Sequence, residues 1–195
     1  MLENKIKDRG PIAANYKQVI DCFNQLPEDI KSWIPHVPKL IEEYSWDIPI
    51  AFTFNQIETI KRRTLSLRLI KYHKTNAELT WKLIDEDYML RERFRVLFDK
   101  IFGTPIPDAI LAHLTQAEAV RDRAMHGKSF SEKDARICLP LAFTFLQTFS
   151  AFVEEKAGFR PCSNAQGIKG AAASLNKETT KWVLKGMGIP EKNAP

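Results

Sequence analysis

Glycine is scarce through most of this 195-residue chain: only Gly10, Gly103 and Gly127 precede residue 158. Strand-like alternation of apolar and polar residues is rare too, which argues against a β-rich fold and leaves helical spacing dominant. Cysteine is sparse: Cys22, Cys138 and Cys162 are far apart. No pair has metal-ligand spacing, and an odd count fits no disulfide framework. Cys22 and Cys138 lie in apolar helical runs and read as core thiols, which fits a reducing cytoplasm. No segment approaches the ~20 uncharged apolar residues that span a bilayer. Met1-Leu2-Glu3-Asn4-Lys5 also lacks the apolar run of a signal peptide. The expectation is a cytoplasmic protein without a membrane partner.

What is present is ordinary for a globular protein: 44% hydrophobic and 27% charged residues, in a chain long enough for one full core and short for a second domain. A net charge of +5 and a pI near 9.1 permit an anionic partner without demanding one. The charge is uneven. From Arg160 onward, Arg160, Lys169, Lys177, Lys181, Lys185 and Lys192 face only Glu178 and Glu191. Such a basic end serves either as a solvated terminus or as a contact for an anion.

Residues 1–11 are polar and read as a loose N-terminus. Ile12, Tyr16, Val19, Ile20, Phe23 and Leu26 share one helical face, which Pro27 ends. Pro35 and Pro38 split residues 28–45 into two short helical turns. Asp47, with Pro49 in the first turn, opens a helix to about Lys74. Its Lys61-Arg62-Arg63 run is either a solvated face or a nucleic-acid contact. Asn76 caps a helix expected to continue to Phe102, with Gly103 as its stop. Pro107 or Asp108 opens the next helix, which runs to Met125 and ends at Gly127. Ser131 caps the last long helix, with Asp134 placed to return the capping bond. That helix is apolar nearly all round, so it should be central or shared with a second subunit, and Pro140 should bend it. Residues 159–175 read as a loop, and Asn176 caps a short helix whose Trp182-Val183-Leu184 patch should dock on the bundle. The fold expected is all-α: an up-and-down bundle of four to five helices over 12–158, with a basic loop and short-helix extension over 159–195.

Polar chemistry concentrates at one joint, Glu118-Ala119-Val120-Arg121-Asp122-Arg123-Ala124-Met125-His126-Gly127-Lys128. On a continuous helix, residues five apart are rotated by about 500°, so Arg121 and His126 point roughly 140° away from each other. They converge only if the helix ends between them or if they come from two subunits. Asp122 and His126 are four apart and can touch on one face, where the carboxylate would hold the imidazole. A histidine near a helix C-terminus also interacts well with the dipole and often does nothing else.

Arg121-Asp122-x-x-x-His126-Gly127 resembles the Arg-(Asn/Asp)-x-x-x-His signature of the HEPN superfamily (higher eukaryote and prokaryote nucleotide-binding). There too the motif lies where one bundle helix ends and the next begins. The resemblance covers the bundle and is specific at 121–127. It implies a metal-independent endoribonuclease of toxin or defence type, in which two subunits bring two Arg…His pairs to one cleft. His126 would then be the general acid or base for attack by the RNA 2′-hydroxyl. Arg121 would stabilise the phosphate, and Asp122 would orient His126 or Arg121. No metal or cofactor is implied, and the sequence lacks the acidic cluster of a two-metal nuclease. Arg123 and Lys128 become candidate RNA contacts beside Lys61, Arg62 and Arg63. A homodimer is expected, and a restraining protein partner encoded nearby would fit. Some HEPN toxins carry a tyrosine two places after the histidine; here that place is Lys128, a departure from that branch. Other HEPN proteins only bind RNA, nucleotide or protein, and that alternative stays open.

Overall fold

A computed structural model of the chain describes residues 13–87, 89–164 and 174–191. The loose N-terminus expected over 1–11 and most of the glycine- and alanine-rich loop lie outside the described residues. Among those described, every regular element is helical: α1 (Tyr16–Asn24), α2 (Glu28–Lys31), α3 (Val37–Glu43), α4 (Asp47–Tyr72), α5 (Ala77–Glu86), α6 (Arg91–Phe102), α7 (Asp108–Met125), α8 (Glu132–Ala157) and α9 (Lys177–Gly186). The protein is all-α. It folds as two compact units that interleave in sequence. The first holds residues up to Ile57 with Pro107–Ala151; the second holds Glu58–Ile106 with the residues from Phe152 onward. The boundary expected near 158 is therefore not where the units part. They divide within α4 and within α8.

Local chemistry explains most helix ends. The Asn15, Asn76 and Asn176 side chains each accept an amide N–H three residues on, capping α1, α5 and α9. Gly103 ends α6 in the left-handed region at φ 70°. One element departs from expectation. Residues 76–102 form two helices, not one, with Asp87 in extended backbone between them. Asp85, Glu86 and Asp87 place three acids where the α5 dipole is negative, which disfavours continuing the helix. Arg62 then donates to the Ile84 and Asp85 carbonyls at 3.0 and 2.7 Å. Arg93 grips the Asp87 carboxylate with two nitrogens.

In the first unit, Val19, Ile34, Val37, Ile50, Leu139 and Phe145 are buried, and Phe23 meets Phe143 edge-on at 6.1 Å. In the second, Ile60, Leu69, Leu83, Ile101, Val153 and Leu184 are buried. Phe98 stacks on Phe102 at 3.9 Å and on Phe152 at 6.1 Å. Residues 138–143 of α8 are buried in succession, so its apolar circumference is core. By length and composition α8 also meets the requirement for a bilayer span, contrary to the expectation that no segment would. Most of that span is buried inside the protein, as in the core helix of a globular fold. The C-terminal helix α9 docks within the second unit: Thr180 accepts the Asn76 amide, and Lys177 pairs with Glu78 at 3.0 Å. Leu184 and Ile189 are buried there. Trp182 is not: it stands 79% exposed, because the amphipathic register of α9 turns Thr180 and Leu184 inward instead.

Candidate functional site

The joint between α7 and α8 lies wholly in the first unit. α7 ends because Gly127 takes a left-handed φ of 63°, a conformation that costs other residues roughly 1–2 kcal/mol. The Lys128 amide then donates to the Arg123 carbonyl at 2.9 Å and the Gly127 amide to the Ala124 carbonyl at 3.4 Å. These are the paired bonds of a Schellman motif. His126 is the C-cap, with its amide 3.1 Å from the Asp122 carbonyl.

The far side of the turn is held by a reciprocal capping box. The Ser131 amide and hydroxyl both donate to the Asp134 carboxylate at 2.9 Å, and the Asp134 amide donates back to Ser131 Oγ at 3.1 Å. Arg123 reaches across the turn to Asp134 at 3.6 Å. The Ser131 amide, then its hydroxyl, and to a smaller degree Arg123 hold the Asp134 carboxyl below its ordinary value. The turn carrying His126 and Lys128 is thus pinned at both ends.

Arg121 is fixed from two sides. Its guanidinium lies 5.3 Å from the centre of the buried Phe54 ring on α4, a cation–π distance. Its Nε lies 3.1 Å from Asp122 Oδ1. That contact is an ion pair without hydrogen-bond alignment, so Nε is buried with no hydrogen-bond partner. Behind α7, the Cys138 thiol donates to the Ala117 carbonyl at 3.3 Å. Burial pushes this thiol up to about 12, against a smaller opposing pull from Arg121 and Arg123. A thiol so placed stays protonated and is no nucleophile.

Of the residues singled out in the sequence, Arg121 and Asp122 come together, as do Arg123 and Asp134. His126 and Lys128 are exposed, and no side-chain hydrogen bond or ion pair joins His126 to Arg121 or Asp122. Of the two partners expected for the Asp122 carboxylate, it meets Arg121 and not His126. Arg123 is paired with an acid, which leaves Lys128 as the open cation of the turn.

Lys61, Arg62 and Arg63 belong to the second unit, and none stands as a free surface charge. The Lys61 side chain is 1% exposed, pairs with Glu58 at 2.9 Å and lies over the Phe94 ring at 4.9 Å. Arg62 caps the end of α5, as described above. Arg63 donates to the Pro161 and Ser163 carbonyls at 2.8 and 3.0 Å, and burial lowers its guanidinium below the ordinary value. The expectation of a solvated basic face is corrected by these contacts. Sequence reasoning also missed Phe54 beneath Arg121 and Cys138 behind it. Both partners come from other helices, and no spacing within the motif points to them. Among the described residues no three His, Cys, Asp or Glu side chains gather as a metal site would require.

The fold and the joint define an all-α protein with an arginine–histidine turn between two long helices. Compared with models of protein families, with curated proteins and with solved structures, the chain matches none.

Proposed function

We propose that the α7–α8 joint is the active site of a metal-independent endoribonuclease of HEPN type that works as a homodimer. The observation that carries this reading is an unpartnered, exposed imidazole on a turn pinned at both ends, five residues beyond an arginine fixed by Asp122 and Phe54. Neutral His126 takes the proton of an RNA 2′-hydroxyl, whose oxygen attacks the adjacent phosphorus. The 5′-oxygen leaves and takes a proton from the second copy's imidazolium, giving a 2′,3′-cyclic phosphate and a 5′-hydroxyl. Arg121 stabilises the charge on the pentacoordinate phosphorus. The nucleophile belongs to the substrate, so the step needs no metal-bound water. Twofold pairing is part of the proposal because the Arg121 and His126 of one chain are not joined to each other.

The test is cleavage of a mixed-sequence RNA in the presence of EDTA. His126→Ala is expected to lower the rate by at least about 100-fold with helical circular dichroism unchanged. Undiminished cleavage by that variant removes His126 from the mechanism.

A second reading draws on the ion pairs themselves. Asp122 sits on Arg121 and Asp134 on Arg123, which lowers the net positive charge of the joint. A module that binds a partner without cutting would fit that arrangement, a protein more readily than RNA or nucleotide. Salt-dependent RNA binding without any cleavage product would favour it. A restraining protein covering the joint is compatible with either reading.

A further inference from the structure

We propose that the second unit holds an oxyanion-binding site at Arg68, taking a phosphate or a carboxylate group. Arg68, near the end of α4, is 8% exposed. Its Nε and Nη1 are sealed from solvent and have no hydrogen-bond partner. Its guanidinium carbon lies 3.5 Å from the centre of the Tyr72 ring and 5.2 Å from that of Phe102.

A guanidinium cannot shed its proton, so burial does not neutralise it. Both rings lie within cation–π distance of the guanidinium. They leave unanswered the in-plane N–H groups, which are the groups that form a two-pronged grip on an oxyanion. Lys61, the other cation buried in this unit among the described residues, shows what a completed arrangement looks like: it has a ring, Phe94, and an acid, Glu58. Arg68 has the rings and lacks the acid. His73, five residues on, supplies none either: it donates through Nε2 to the Ile101 carbonyl at 2.9 Å.

Access is built into the same geometry. Tyr72 covers Arg68 yet is itself 62% exposed. A side chain that open changes rotamer quickly, so this part of the cover over the guanidinium can move aside. This site stands apart from the α7–α8 joint, and its test does not depend on RNA cleavage.

The experiment is thermal unfolding of the full chain in sodium phosphate, sodium acetate and sodium chloride at matched ionic strength. The expected result is a saturable rise in Tm with phosphate or acetate over chloride. That rise should vanish in Arg68→Met, which replaces the cation with an apolar stem of similar length. The general salting effect of phosphate, unsaturable and common to both proteins, provides the baseline. The oxyanion that gives the rise identifies the source as phosphate or carboxylate. Equal Tm in all three salts for the wild type overturns the proposal, and so does a saturable rise that survives in Arg68→Met. If that variant does not fold, Arg68→Lys keeps the charge and loses the fork. Its apparent affinity should then fall at least about tenfold, and an unchanged affinity overturns the site equally.

Discussion

Arg123 in the first unit and Lys61 in the second are both helical cations with an acid nearby, yet their surroundings differ. The Arg123 side chain is 41% exposed and lies 3.6 Å from Asp134, which is 33% exposed. The Lys61 side chain is 1% exposed and lies over an aromatic ring, 2.9 Å from Glu58, which at 31% is about as open as Asp134. Water screens the first pair, and either partner can be solvated alone. In the second pair Glu58 still reaches water but the Lys61 ammonium has little to fall back on, so the acid is what makes that buried charge tolerable. Charge pattern along a sequence does not separate these cases. The partner and its depth do.

The largest effect expected from this contrast is at Glu58. Glu58→Ala leaves the Lys61 ammonium buried and uncompensated, and should destabilise the protein by about 3 kcal/mol, measured by urea unfolding at pH 7. A loss near zero would mean that Phe94 alone supports the cation.

The capping box comes next. Ser131→Ala removes both the cap and the hydroxyl bond to Asp134, for about 1 kcal/mol. The same box sets a pH dependence. The folded Asp134 carboxyl lies below its unfolded value, so its contribution is fully present above the unfolded pKa. That contribution is lost as pH falls through the folded value, below about 4. Asp134→Asn should flatten the wild-type stability profile in that acid range. A profile that falls unchanged in the variant would place the acid sensitivity elsewhere.

The smallest effect is at Arg123. Arg123→Ala should cost under about 1 kcal/mol, as exposed ion pairs do. If unfolding midpoints put it level with Glu58→Ala, the depth of the cation does not decide what losing its acid costs.

Much of the helical layout was readable from the chain because its punctuation is local. Asn76, Asn176, Ser131 with Asp134, Gly103 and Gly127 all act within one turn of where they stand, and the structure uses each at a helix end. The break between α5 and α6 was not read. The apolar stripe through Leu83, Leu90 and Phe94 runs on past three acids that the helix dipole disfavours, and Leu90 is in fact exposed. The burial of Lys61 was equally hidden, since a long aliphatic stem can carry its charge into the interior as easily as out of it. At the joint, the sequence located the turn and its pinned helix ends. The pairing of Arg121 with Asp122 and Phe54 required knowing which helix lies beneath α7, and that is tertiary information.

The outward position of Trp182 has a practical side. An indole so open to water fluoresces at the long-wavelength end of its range and is quenched readily by small solutes such as acrylamide. The other three tryptophans, Trp33, Trp46 and Trp81, are half-buried. The protein therefore carries its own optical label on α9, and anything that covers that helix will announce itself by a blue shift without a dye being attached.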